Sequence, residues 1–539
     1  MISMVSRTYR HAGYATLAGL VVAAAGALPA LANVQPAALF SDHMVLQQGM
    51  RVPVWGTAAP GEAVTVTLNG QKQSATAGPD GRWQVRLTDL KSGGPYTMTI
   101  AGKNTVTVTD VLVGEVWLAS GQSNMDFTVA KTAKKSFAGT MNEAEEIAAA
   151  DYPQIRMFTV DLKLADDIQP DVQGHWAICS PQTVGDMSAV AYFFARDLYK
   201  ERKVPFGVID STWGASTAQC WTRREALAAV PVLKPLLDDY ATQCADYASG
   251  ATQERYKTSL AAWETASAKA KEDGTRAPRK PGAPRDPHQD QHNPFLLYNG
   301  MIAPVKPYAI RGAIWYQGES NGPTAPEYVT LMKTLIGDWR QAWGEGDFPF
   351  LYVQIAAYGK PATDPVAGVG GTPRVREGQL QTLQVPNTAM ASAIDIGDPT
   401  NIHPKNKQEV GRRLALAARA RAYGEKIPAS GPLYAGMVVE GGAIRVRFTA
   451  TDGGLTAKDG APLVGFIIAG ADGKWFRADA RIDGATVLVS SPSVPQPVAA
   501  RYAWAPYPEV SLFNGAGLPA SPFRTDTGDG KASPTVAVK

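Results

Sequence analysis

Short runs in which apolar residues alternate with polar ones follow one another from position 33 onward. Segments 50–55, 63–68, 83–87 and 96–100 each fit a half-buried strand, and Gly and Asp-Gly turns separate them, as at Pro79-Asp80-Gly81. This spacing predicts a small antiparallel sandwich over 33–110. From 111 to 425 the pattern changes. Continuous apolar runs at 111–118, 155–160, 206–210, 312–316, 350–355 and 391–396 alternate with stretches of helical period. Met187, Val190, Phe194 and Leu198 share one helix face, Tyr328, Leu331, Leu335 and Trp339 another, and 404–424 forms the last helix. Such alternation implies an α/β domain with a parallel sheet covered on both faces. One stretch interrupts it. Residues 225–273 are rich in Ala, Lys and Glu and read as helical, and a basic, Pro-rich connector, RAPRKPGAPRDPHQDQHNP, completes an insertion spanning 225–294. A cap beside the active edge and a surface excursion fit it equally well. Strand-like alternation returns over 426–525, at 443–448, 464–468 and 485–490, as a second sandwich or the remainder of the first. Residues 526–539 are polar and read as a disordered tail.

With 539 residues the chain exceeds one ordinary domain. An apolar fraction of 45% with 19% charged residues belongs to a globular protein with real cores. Residues 1–32 have the form of a secretory leader: Arg7 and Arg10, an Ala-rich apolar core at 16–28, and Ala30-Leu31-Ala32 as a small-x-small cleavage site. The core is short for a bilayer span of about 20 residues, and no later segment is longer and as apolar. The expectation is an exported protein, periplasmic or secreted, with no membrane span after leader cleavage. The mature chain carries 50 basic against 49 acidic residues. That balance excludes a nucleic-acid binder, which needs a concentrated basic face. Export permits one disulfide among Cys179, Cys220 and Cys244, with Cys220 and Cys244 the nearer pair. Their spacings do not resemble a zinc site, and no metal is expected.

The chemistry concentrates where strands end. The run 111–118 leads directly into Ser120-Gly121-Gln122-Ser123-Asn124, a turn that delivers Ser123 to the carboxyl edge of the sheet. A serine hydroxyl is a weak nucleophile and needs a neighbouring base. Of the six histidines, His403 alone follows a strand end and precedes a helix, which sets it on the same edge. A carboxylate should orient the imidazole, and Asp395, Asp398 and Glu319 are candidates. The oxyanion of an acyl-transfer intermediate needs donors. The Ser123 amide is one. Gly214, in the turn after 206–210, is a second, and the side-chain amide of Gln317 or Asn321 a third. Trp213, Trp221, Trp315 and Tyr316 are placed to stack on a sugar ring, with Glu319 beside them as a polar substrate contact. Gly-x-Ser-x-Gly does not fit SGQSNM, which lowers a protease or lipase reading.

The blocks GEVWLASGQSNM, IDSTWGAS, LYNGMIAP, IWYQGESN and NIHPKNK, in this order, resemble the SGNH/GDSL hydrolase superfamily. They are most similar to its sialate O-acetylesterase-like carbohydrate esterases. The resemblance covers about 34–425. It implies a three-layer α/β/α SGNH-hydrolase domain with flanking β-sandwich regions. It also implies removal of O-acetyl groups from carbohydrates through an acetyl-serine, with no metal or other cofactor. By motif, Ser123 is the nucleophile, His403 the base, Gly214 the glycine-block donor, and Gln317 or Asn321 the amide donor. One departure stands out. Many members place the acidic residue three positions before the histidine, where this chain has Thr400 followed by Asn401. The third member is then Asp398, Asp395 or Glu319, with Asp398 preferred, or the pair acts as a Ser–His dyad. The partner implied is an acetylated carbohydrate: a sialate ester, or a plant polysaccharide such as xylan or xyloglucan. A non-catalytic carbohydrate-binding protein is the alternative of another class, and retention of both Ser123 and His403 argues against it. No reading of the residues gives an oligomeric state.

Overall fold

The computed structural model describes residues 33–361 and 370–526, so the expected leader and the tail beyond Asp526 lie outside the described residues. The organising element is one long strand, β1 (Thr105–Gly121). Its first residues alternate in exposure and pair antiparallel with Gly93–Ala101 in the N-terminal sheets. From Val111 onward every residue is buried, and the strand becomes the middle of the central sheet. The switch from alternating to continuous apolar sequence near 110 therefore marks the point where one strand passes from a sheet with a wet face to one covered on both sides.

The other central strands are β2 (Tyr152–Val160), β3 (Gly174–Cys179), β4 (Phe206–Thr212), β5 (Gly312–Tyr316), β6 (Phe350–Gln354) and β7 (Thr388–Ser392), in spatial order β3-β2-β4-β1-β5-β6-β7. Strands β2, β4, β1, β5, β6 and β7 run parallel to their neighbours. Strand β3 is antiparallel to β2 and, with the N-terminal strands, makes the whole sheet mixed rather than parallel. The last strand also begins and ends earlier than the apolar run 391–396 suggests. Beyond Ser392 the chain leaves the sheet, and Asp395 is drawn to Arg413.

Helix α1 (Ala189–Arg202) starts at Ser188, whose hydroxyl accepts from the Ala191 amide. The insertion forms a hairpin of α2 (Lys234–Ala248) and α3 (Ala251–Glu272), which bury only Tyr240 and Ala270. Then come α4 (Tyr328–Trp343), α5 (Gly371–Thr382) and α6 (Lys407–Arg421). Helices α1 and α6 touch through Gly411, where an added Cβ would lie 2.6 Å from the Phe193 Cβ. Among the described residues no helix is long and apolar enough to cross a membrane.

One hydrophobic core runs from Val34 to Leu433 and joins the N-terminal sheets to the central one. The C-terminal strands enclose a separate core around Ile444, Phe466, Val487, Tyr502 and Phe523, so they are a second β unit rather than the remainder of the first. The one disulfide that export would permit does not form: Cys179, Cys220 and Cys244 are all free thiols, with Cys179 and Cys220 buried.

Candidate active site

Three strand ends finish level with one another. Gly121 pairs with Thr212 on one side and Tyr316 on the other. The chain passes to opposite sides of β1 at this point, which is where parallel sheets open a crevice at their carboxyl edge. Gly121 has φ +138°, and a Cβ there would meet the Tyr316 carbonyl oxygen at 2.2 Å, so only glycine fits the bend. The Met125 and Asp126 amides then donate to the Gln122 carbonyl, closing a tight turn with Ser123 at its tip. The Gln122 side-chain oxygen accepts from the Gly318 and Ser320 amides, which fastens this turn to the one after β5.

His403 arrives from the segment between β7 and α6. Asp398 accepts from the Thr400 amide, the Thr400 hydroxyl and the Asn401 amide, and Asn401 in turn accepts from the His403 amide. This folded loop sets His403 Nε2 2.8 Å from Ser123 Oγ. The Phe137 ring lies on the imidazole, centroids 4.7 Å apart. Burial, and next the charge of Lys407, push the imidazole pKa down to about 4. The ring is therefore neutral at ordinary pH, with Nε2 free to accept the serine proton.

The three acidic candidates go elsewhere. Asp398 holds the loop backbone, not the imidazole. Asp395 makes a two-pronged ion pair with Arg413. Glu319 accepts from Asn124 Nδ2 at 2.7 Å. Among the described residues no carboxylate hydrogen-bonds the His403 ring.

The oxyanion side also differs from expectation. Gln317 Nε2 donates to the Ser216 carbonyl and to Asn321 Oδ1. Asn321 Nδ2 donates to Gln219 Oε1 and Thr324 Oγ1. Both hydrogens of each amide are thus committed inside the protein, and neither amide is left to bind an oxyanion. Their work is to stitch the turn after β5 to the turn after β4. The backbone donors fit better. Among the described residues, neither the Ser123 nor the Gly214 amide has an acceptor. A Cβ on Gly214 would reach no atom closer than Ser123 Cβ at 3.7 Å, so the missing side chain keeps open the space beside the nucleophile. Gln291 Nε2 donates to the Gly214 carbonyl, and the Gln291 carbonyl accepts from the Thr217 amide. It is the Pro-rich connector, through these contacts, that reaches the site.

Of the four aromatic residues expected to meet a sugar, Trp221, Trp315 and Tyr316 are fully buried. Trp221 and Trp339 pack edge-on against Trp315. Trp213 alone is half-exposed, next to Gly214. The Glu319 carboxylate turns inward: Oε1 accepts from Asn124 Nδ2, and Oε2 is buried without a partner among the described residues. Sequence reasoning missed Phe137, which has no motif around it. It also missed Lys407, which looks like an ordinary first-turn helix lysine but is fully buried. No group of His, Cys, Asp and Glu among the described residues could hold a metal ion.

The family model described as carbohydrate esterase, sialic acid-specific acetylesterase, matches residues 289–420. Sialate O-acetylesterase of Rattus norvegicus is 32% identical over 445 residues, covering 74% of this chain and 75% of the rat protein. The Homo sapiens enzyme of the same name is 31% identical over 440 residues, covering 74% and 73%. The crystal structure of a carbohydrate acetylesterase from Xanthomonas citri superposes with a TM-score of 0.76 at 34% identity, covering 92% of this chain and all of that one. Together with the joined Ser123 and His403 side chains, these similarities place the chain in the sialate O-acetylesterase-like family of carbohydrate esterases: it is a carboxylic ester hydrolase, a carbohydrate acetylesterase.

Proposed function

We propose that the protein removes O-acetyl groups from sugars through an acetyl-serine intermediate, with O-acetylated sialate the first substrate class to test. The 2.8 Å contact between His403 Nε2 and Ser123 Oγ carries the proposal. Ser123 Oγ attacks the acetyl carbon as its proton passes to His403 Nε2. The charge that develops on the carbonyl oxygen meets the Ser123 and Gly214 amides. Collapse expels the sugar oxygen, which takes the proton from Nε2. Water then attacks the acetyl-serine, gives a proton to Nε2, and acetate leaves as Ser123 is restored. Trp213 supplies the aromatic face for the sugar, and Asp398 acts by shaping the loop that carries the base. The domain reading is an SGNH-type three-layer unit between two β units, exported by the leader at 1–32. The names of the relatives support sialate; the broader title of the Xanthomonas citri enzyme supports other acetylated glycans as the comparison set.

Ser123→Ala is expected to lower turnover of p-nitrophenyl acetate at least about 1000-fold without changing the unfolding transition. Near-wild-type turnover in purified Ser123→Ala would end the assignment. Acetate release from O-acetylated sialic acids, xylan and xyloglucan, measured side by side, ranks the substrates.

A further inference from the structure

Directly behind the Ser123–His403 pair lies a buried polar chain that the reaction as described does not use. Lys407 is fully buried, and its Nζ donates to Asn124 Oδ1 at 2.6 Å. Nζ also sits 4.5 Å from the centre of the Phe127 ring and 5.4 Å from that of Tyr316. Asn124 Nδ2 donates twice, to Glu319 Oε1 at 2.7 Å and to the Ile402 carbonyl at 3.1 Å. Asn124 follows the nucleophile and Ile402 precedes the base. One amide side chain therefore ties the Ser123 turn to the His403 loop, and both of its ends are held by charged groups. Neither charge is accounted for by fold stability. A buried lysine and a buried carboxylate each carry a desolvation penalty about as large as their attraction restores. Lys407 and Glu319 are also not in direct contact but joined through Asn124. An apolar filling would serve packing as well.

We propose that Lys407, Asn124 and Glu319 form a charge-compensated clamp that fixes the His403 imidazole against Ser123 Oγ and sets the electrostatic potential at that imidazole. The inference rests on the proposed Ser123–His403 chemistry. All three are positioning residues, since none touches the reacting atoms. Asn124 fixes distance: its bond to the Ile402 carbonyl ties the residue before His403 directly to the residue after Ser123, whereas the other holds on this loop, the Met141 amide on the Lys405 carbonyl and the Phe137 ring, come from a different segment. Lys407 fixes potential. The charged groups on the segments around the imidazole include Asp398, half-exposed and bonded to the Thr400 and Asn401 amides; Lys405, exposed; Asp126, paired with Lys135; Glu319; Arg376; and Lys407. Of these, Lys407 is the one whose charge acts on His403, lowering its pKa in addition to burial. Glu319 acts one step back. It favours the charged form of Lys407, whose own pKa burial lowers to about 7.

Two variants and two measurements test the clamp. Lys407→Met keeps a chain of similar length that a pair of aromatic rings accepts well. The acid limb of its kcat/KM–pH profile is expected to rise from near pH 4 toward the ordinary histidine value of 6.5, with kcat falling about 100-fold and KM changing much less. A purely structural lysine would lower the unfolding midpoint and leave the limb in place. Asn124→Asp keeps the acceptor for Lys407 but loses both donors, to Glu319 and to Ile402. It is expected to slow labelling of Ser123 by a fluorophosphonate at least tenfold. If wild-type Ser123 takes no label, the underlying reading fails. If the wild type is labelled but folded Lys407→Met keeps both its acid limb and its kcat, the clamp is overturned. If Lys407→Met does not fold, Asn124→Asp decides alone: slowed labelling supports the clamp and an unchanged rate overturns it.

Discussion

Ser123 and His403 are 280 positions apart in the chain, and their hydroxyl oxygen and ring nitrogen are 2.8 Å apart in space. A base with a pKa near 4 is neutral, and so competent, at any pH above that value. As pH falls through it the imidazole takes a proton and can no longer accept the one from Ser123. Wild-type kcat/KM for p-nitrophenyl acetate is therefore expected to stay level from pH 7 down to about 5 and to fall below that, with a midpoint near 4 rather than 6.5. A midpoint at 6.5 or above would show that burial and Lys407 do not act on the ring as described. The pairing of Ser123 with His403 was legible because each sits in a recognisable block near the carboxyl edge of the sheet, Ser123 just after β1 and His403 in the loop between β7 and α6. The orienting acid and the amide donors were not. Asp395, Asp398, Gln317 and Asn321 sit in the right blocks, but only the hydrogen-bond partners reveal that each is committed elsewhere. Nor does the first turn of a helix advertise that Lys407 lies inside the protein.

The elements that hold the site are β1, the turns after β4 and β5, and the pair α1–α6 behind them. Helix α6 begins four residues after His403, so its seat on α1 controls where the loop before it lies. That seat depends on Gly411, where a Cβ would lie 2.6 Å from Phe193 Cβ and 2.8 Å from the Phe194 amide nitrogen. Gly411→Val is expected to destabilise the protein by about 1–3 kcal/mol in urea unfolding and to lower kcat with it; an unchanged midpoint would mean the helices yield freely. At this scale the apolar runs placed β2, β4, β5 and β6 correctly to within a few residues, and found only the fully buried part of β1, missing the alternating stretch from Thr105 to Asp110. Strand β3, whose sequence GHWAIC has little alternation, was not visible, and it is one of the strands that make the sheet mixed. The run at 391–396 misled for a different reason. Ile394 is buried, but the chain has already left the sheet, so apolar character there reports burial rather than pairing.

Over the whole molecule, the C-terminal β unit has its own core yet is fastened to the hydrolase region beside the site. Arg376 of α5 is fully buried and donates to four carbonyl oxygens, those of Ile355 and Ala356 after β6 and those of Ala505 and Pro506 in the C-terminal unit. Its burial pushes the guanidinium pKa down to about 9. Arg376→Met leaves the Ile355, Ala356 and Ala505 carbonyls without this donor, while Pro506 keeps the Tyr358 amide, and is expected to cost about 3 kcal/mol or more. Chemical unfolding should then resolve into two transitions, with the C-terminal unit released first. A single transition at the wild-type midpoint would show that the two units do not depend on this residue. The pattern of apolar positions pointed to two β regions and an α/β middle, but not to this joint, because a lone arginine in a helix carries no sign of the backbone it will meet.

The most direct test of the central claim, that Ser123 and His403 act as one unit, is covalent labelling by a fluorophosphonate, followed by peptide mass spectrometry on the wild type and on His403→Ala. The expected result is one label per chain, on Ser123, with the rate reduced at least about 1000-fold in His403→Ala. A label on another residue, or a rate on Ser123 that does not depend on His403, would contradict it.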